Sequence, residues 1–136
     1  MSKILAIDYG EKRSGLAETD DMQIVASGLA GIMTSNLISF LEKYISENSV
    51  EKIIIGLPIR LNGELSDVEN SIQKLIKNIT LLFPNIPVER IDERFTSKIA
   101  SHYISLSGKN KKNRENKHLL DVVSATLILQ NYLEKK

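Results

Sequence analysis

Three carboxylates stand where chain elements end. Asp8 closes the apolar run Ile4-Leu5-Ala6-Ile7, Glu93 follows the run that begins at Pro87, and Asp121 falls in the first turns of a long C-terminal helical pattern. Each has a plain reading. Asp8 can be a turn residue, and Glu93, between Asp92 and Arg94, can be a solvated loop acid. Asp121 is harder to set aside. It shares a helix line with Ala125, Ile128 and Tyr132, while Leu119, Leu120, Val122, Val123, Leu127 and Leu129 cover much of the remaining circumference. That pattern predicts a helix apolar nearly all round and buried. An acid there needs a partner, because an unpaired buried charge is costly. Lys117, a neighbouring arginine or a divalent cation would each serve. Taken together, three hard oxygen ligands without Cys or His suit Mg²⁺ or Mn²⁺. Two such ions about 3.5–4 Å apart can activate a water and stabilise a leaving oxygen in phosphodiester cleavage.

Basic residues lie near these acids. Arg13 and Arg94 can steady the carboxylates by ion pairing or meet phosphate through the guanidinium fork. Lys109, Lys111, Lys112, Arg114 and Lys117 crowd one Asn-rich stretch. Such runs are most often solvated loops, but beside a nuclease site they would follow a phosphate backbone and make binding salt-dependent. Few aromatics interleave with them, so base stacking there is not supported. His102 and His118 have no ligand spacing between them. His118 is near enough to Asp121 to touch substrate, although a surface histidine is the simpler reading.

The elements that must hold these groups follow from hydrophobic patterning. Ile4–Ile7 reads as a strand, Gly10 as the sharp turn after it, and Gly15-Leu16-Ala17 as the return strand of an antiparallel hairpin. A third strand is expected over 23–32. Thr34 or Ser35 would cap a helix carrying Leu37, Leu41, Tyr44 and Ile45. In Lys52–Pro58, three consecutive isoleucines show no alternation, the mark of a central parallel strand covered on both faces. Residues 59–65 form a loop with Asn62-Gly63 as its turn. Ser66-Asp67-Val68-Glu69 has capping-box spacing before a helix whose inner face is Val68, Ile72, Leu75, Ile79 and Leu82, stopped by Pro84. A weaker strand runs from Pro87 to Asp92. A helix capped by Thr96 or Ser97 carries Ile99, Tyr103 and Leu106, and the last helix runs from about Asn116 to Leu133. The order βββαβαβαα predicts an α/β fold, a mixed sheet with helices on both faces. The first strand should lie beside and parallel to the isoleucine strand.

Composition bounds the rest. The 136 residues suit one domain, 1–136, and 42% hydrophobic content supports a packed core. The absence of cysteine removes disulfides and thiolate chemistry. No basic, apolar leader opens the chain, and no apolar run nears the roughly 20 residues of a membrane span, so a cytoplasmic location without membrane contact is expected. A formal net charge of +1 means that nucleic-acid affinity must come from local patches.

Asp8-Tyr9-Gly10 with Arg13 and Gly15-Leu16-Ala17, then Gly56-Leu57-Pro58, then Asp92-Glu93-Arg94 with Thr96-Ser97, then Asp121 with Ser124-Ala125 and Ile128-Leu129 together resemble the ordered motifs of one bacterial family. It is the YqgF/RuvX family, assigned to pre-16S rRNA nuclease activity and also called Holliday-junction resolvase-like. Each motif is weak alone, but their order spans nearly the whole chain. The resemblance implies an RNase H-like fold with a five-stranded mixed sheet. It implies that Asp8, Glu93 and Asp121 form the catalytic, metal-binding carboxylate cluster; Mg²⁺ or Mn²⁺ and the nucleic-acid candidates Arg13, Arg94, Lys109, Lys111, Lys112, Arg114 and Lys117 follow from residue chemistry and position. It further implies a metal-dependent endonuclease of ribosome biogenesis, trimming the 5′ end of pre-16S rRNA. Pre-30S particles are the partner expected for such a step, and a monomer or weak homodimer is the expected state. Ile59-Arg60-Leu61-Asn62 departs from the family pattern, as do Phe95 and Ser97. These changes leave all three acids in place and bear only on the substrate-facing loop. Two other readings stand beside this one, a resolvase of branched DNA and a non-catalytic rRNA-binding assembly factor. Sugar kinases and actin-like ATPases also open with Asp-x-Gly, but they need a duplicated domain and a glycine-rich phosphate loop that this chain lacks.

Overall fold

The computed structural model describes residues 2–58, 67–92 and 113–135, with side chains from residue 118 onward in the last segment. The strands are β1 (Lys3–Asp8), β2 (Arg13–Thr19), β3 (Ala26–Met33), β4 (Val50–Leu57) and β5 (Val88–Asp92). The helices are α1 (Leu37–Glu47), α2 (Glu69–Leu82) and α3 (Asn113–Lys135), and one 3₁₀ turn, Thr34–Asn36, leads into α1. The expected helix with Ile99, Tyr103 and Leu106, the 59–65 loop and the lysines 109, 111 and 112 lie outside the described residues.

The strands form one mixed sheet in the order β3-β2-β1-β4-β5. β1 and β2 pair antiparallel, as do β2 and β3, whereas β1–β4 and β4–β5 are parallel. The hairpin and the parallel neighbour expected for β1 are both present. Ile53, Ile54 and Ile55 are fully buried, and they serve opposite faces. Ile53 and Ile55 join Leu5, Ile7 and Leu16 against Leu37 and Leu41 of α1 and Ile72, Leu75 and Ile79 of α2. Ile54 joins Ile4, Ala6, Ala17 and Ile91 against Ala125, Ile128 and Leu129 of α3. Each buried isoleucine or leucine among them contributes roughly 1.5–3 kcal/mol by leaving water, so two cores clamp the sheet from both sides.

Several local expectations need correction. β3 starts at Ala26 rather than 23, because residues 20–25 make a tight turn. There Asp20 Oδ1 accepts the backbone N–H groups of Ile24 and Val25 at 2.8 Å each, and Gln23 takes a left-handed φ of 58°. Neither Thr34 nor Ser35 caps α1; Asn36 stands at the cap without a side-chain bond, and Thr34 instead donates its hydroxyl to the Gly10 carbonyl. Glu69 does not act as a capping-box residue for α2, whose cap position is Val68. Its carboxylate is taken by Arg90, at 2.8 Å from each oxygen. Leu82 is 45% exposed, since Phe83 and Ile86 beyond the helix take the place against the core. α3 is longer than expected, and it is not buried all round. Ser124, Ala125, Ile128 and Leu129 face the sheet, while Leu119 is 37% exposed.

Candidate active site

The site is built on the β1–β2 hairpin. Asp8 pairs across it with Gly15. Antiparallel partners point to the same face, so Asp8 projects where a Gly15 side chain would. That face belongs to α3. A Cβ placed on Gly15 would overlap the backbone carbonyl of Asp121. Glycine therefore lets the helix backbone settle on β2 at the residue opposite Asp8, and Asp121 arrives beside it. A second close approach repeats this on β3, where a Cβ on Gly31 would stand 2.8 Å from the His118 carbonyl.

Arg13 lies two residues before Gly15 on the same face of β2. Its Nε donates to Asp121 Oδ2 at 3.1 Å, so among the partners weighed for Asp121 the neighbouring arginine is present. The Asp121 carboxyl is half-buried, and burial pushes its pKa above the ordinary carboxylate range, against the pull of the Arg13 charge and hydrogen bond and of nearby His118. The turn that carries Arg13 is tied down by Thr34, just past β3. Besides the Thr34 hydroxyl on Gly10, Ser14 Oγ lies 2.8 Å from Thr34 Oγ1, and the Thr34 N–H donates to the Lys12 carbonyl at 2.9 Å. Gly10 has no left-handed φ; it is glycine because a Cβ there would collide with the Arg13 carbonyl.

Two features were underread in the sequence. His118 is not a solvated surface residue. Its Nδ1 is buried and has no hydrogen-bond partner among the described residues, and it lies one helical turn before Asp121, on the same side of α3. Arg90 was not singled out at all. Its guanidinium binds the Ile55 and Gly56 carbonyls at 3.2 and 2.9 Å as well as both oxygens of Glu69. It thereby pins the end of β4, where Gly56-Leu57-Pro58 begins, to the start of α2, and the same guanidinium holds the Glu69 carboxyl below the usual range. The alternation of Val88–Asp92 shows only that Arg90 shares a face with Val88 and Asp92.

The remaining expected residues divide as follows. Glu93 and Arg94 lie outside the described residues; the described chain stops at Asp92, which pairs with Leu57 at the end of β5. With strands about 4.8 Å apart, β5 runs roughly 10 Å from β1, two strands away. Lys109, Lys111 and Lys112 are also outside. Arg114 and Lys117 sit in the first turns of α3, with side chains not described. Among the described residues no group of three or more His, Cys, Asp or Glu is gathered as a metal site. The donor chemistry nevertheless fits a hard cation. Asp8 and Asp121 share one face, and the Asp121 carboxyl is poorly solvated.

The model of the family described as RuvX, Holliday junction resolvase, matches residues 2–135. The chain belongs to the RuvX family. It is 48% identical over 136 residues to a Bacteroides fragilis protein provisionally named pre-16S rRNA nuclease, covering 100% of this chain and 99% of the relative. A Flavobacterium psychrophilum protein of the same provisional name is 49% identical with the same coverage. Among solved structures, the Fowlpox virus resolvase in complex with Holliday junction DNA superposes with a TM-score of 0.59 at 16% identity, over 98% of this chain and 97% of that one. T. thermophilus RuvC with a Holliday junction substrate gives 0.59 at 11% identity, over 99% and 96%. At such identities the likeness concerns fold alone, and this RuvX chain has the RNase H-like arrangement that its motifs implied.

Proposed function

We propose that this chain, as one domain over 1–136, is a divalent-metal-dependent endonuclease of ribosome biogenesis that hydrolyses a phosphodiester bond near the 5′ end of pre-16S rRNA. The observation that carries the reading is the seating of Asp121 over Gly15, the cross-strand partner of Asp8. It sets two carboxylates at one end of the sheet in a chain nearly half identical to relatives provisionally named for that activity. Asp8, Asp121 and Glu93 would hold Mg²⁺ or Mn²⁺. A cation there, single or paired, supplies positive charge for the leaving oxygen and a water of lowered pKa. The chain's own groups do the rest. Arg13 fixes the Asp121 carboxylate through Nε, and its remaining N–H groups are left to bind a phosphate oxygen. Burial around Asp121 excludes bulk water and strengthens each charge contact. Arg94, Lys109, Lys111, Lys112, Arg114 and Lys117 would hold the phosphate backbone away from the scissile bond. A cytoplasmic monomer or weak homodimer meeting pre-30S particles fits this role.

The test is cleavage of an RNA carrying the 5′ leader of the 16S precursor, with Mg²⁺ or Mn²⁺, by the intact chain and by Asp8→Asn and Asp121→Asn. The expected result is cleavage by the intact chain and at least a thousandfold loss in each variant, with RNA binding kept. Equal cleavage by the variants would remove the nuclease reading and leave the rRNA-binding assembly factor. A four-way DNA junction runs as a parallel substrate, and preferential cleavage of it would move the assignment to branched DNA.

A further inference from the structure

On the face of the sheet opposite Asp121, a cavity of about 230 Å³ opens between α1, α2 and the hairpin turn. Ser71, Lys74, Leu75 and Asn78 line it from α2, a spacing that puts all four on one stripe of the helix. Tyr9 and Thr34 line the hairpin side. Leu75 is buried in the main core, so the floor is rigid. Thr34 is committed to the Gly10 carbonyl and Ser14, but the other polar wall residues are not. Tyr9, Ser71, Lys74 and Asn78 have no hydrogen-bond or ion-pair partner among the described residues. Four polar side chains, one of them cationic, thus border an apolar floor, with Lys74 and Asn78 exposed and open to a ligand. Pockets for drug-sized ligands run from roughly 300 Å³ upward, so this volume suits a single base with its sugar rather than a larger molecule.

The cavity is coupled to the proposed active site by the chain itself. Thr34, in its wall, donates to the Gly10 carbonyl, and Tyr9 directly follows Asp8. We infer that the groove between α1 and α2 is a nucleotide subsite for the substrate strand. In it Lys74 takes a backbone phosphate, Asn78 and Ser71 hydrogen-bond the sugar or base edge, and Tyr9 meets the base. The inference rests on the nuclease reading and adds a second contact point on the far side of the hairpin. A free anion would need only Lys74. The combination of charge, amide, hydroxyl and aromatic ring over a Leu75 floor matches the mixed surface of a nucleotide.

The test uses a fluorescein-labelled single-stranded 12-nucleotide RNA, with EDTA present so that no cleavage intervenes, and anisotropy over a salt series. Lys74→Ala is expected to weaken binding about tenfold and to take about 0.7 from the slope of log affinity against log salt, the loss of one single-strand phosphate contact. Asn78→Ala is expected to weaken binding about threefold with the slope kept. Lys77→Ala, an exposed lysine of the same helix outside the groove, is expected to stay within twofold and serves as the charge control. Equal losses for Lys74→Ala and Lys77→Ala would overturn the subsite and leave only diffuse charge on α2. Normal binding by Lys74→Ala, with cleavage still lost in Asp8→Asn, would overturn the subsite and keep the nuclease reading. A native chain that neither binds nor cleaves RNA would overturn both.

Discussion

At the scale of single residues, Asp121 embodies a conflict between stability and chemistry. Burial raises its pKa even with Arg13 at 3.1 Å. A carboxyl whose folded pKa exceeds its unfolded value binds more protons when folded, so its charge opposes folding. The penalty is absent below the unfolded pKa, grows as pH rises toward the folded pKa, and is complete above it. Asp121→Asn is therefore expected to melt at the same temperature as the native chain or above it at pH 7, with the gap closing as pH falls toward 4. The same variant is expected to lose cleavage. Thermal melts at several pH values, paired with the cleavage assay, check this. A melting temperature several degrees below the native one at pH 7 would show that the carboxylate is structural. The sequence told part of this story. An acid on an otherwise apolar helix line needed a partner, but which cation met it depended on a contact between residues 13 and 121 that no local pattern encodes. His118 shows the same limit, since its burial follows from the close seat of α3 on Gly31.

At the scale of elements, the seat of α3 on the sheet sets the site. Gly15 meets the backbone of Asp121, whereas Gly28 meets side chains, the Val122 methyl and, farther off, the Thr126 hydroxyl. A backbone cannot step aside without moving the helix, whereas a side chain can yield in part, even a valine whose χ1 the helix restricts. Gly15→Ala is expected to cost about 2–3 kcal/mol and Gly28→Ala about 1 kcal/mol, the upper and lower parts of the range for overpacking. Cleavage should fall at least a hundredfold in the first, because α3 carries Asp121 with it, and less than threefold in the second. Denaturant melts and single-turnover cleavage of both variants check the ranking. Equal effects would mean that the helix is not seated as described. The strands themselves were legible. Ile53-Ile54-Ile55 could be buried on both faces only in a parallel centre, and the short Tyr9–Lys12 turn left the hairpin as the simplest link. The caps were not legible, because Thr34 and Glu69 spend their side chains on partners 24 and 21 residues away, Gly10 and Arg90. Cap preference is a local energy of about 1 kcal/mol; the charge-assisted Arg90 pair outweighs it for Glu69, and the neutral bond to Gly10 is of similar size for Thr34.

At the scale of the whole molecule, charge and geometry decide what can bind. A net charge of +1 gives no long-range field to draw in a polyanion, so salt-dependent affinity must come from clusters. Replacing Lys109, Lys111 and Lys112 together by alanine is expected to lower the slope of log affinity against log salt by about 2, near 0.7 per lost single-strand phosphate contact. Anisotropy titrations across a salt series check it, and an unchanged slope would show that these lysines do not touch the strand. The order of the strands adds a mechanical condition. Asp8 and Tyr9 are successive residues, yet one faces α3 and the other the core of α1 and α2. A polymer that touches both must turn a corner around the rim of the sheet. Duplex DNA stays straight over lengths of about 150 base pairs and cannot follow such a bend within one residue's width, whereas an unpaired strand rotates freely about its backbone torsions. If the substrate strand reaches from Asp8 into the groove beside Tyr9 as proposed, the rim would act as a stiffness filter, admitting a loose leader or the crossover of a junction and turning away a plain double helix before any base has been read.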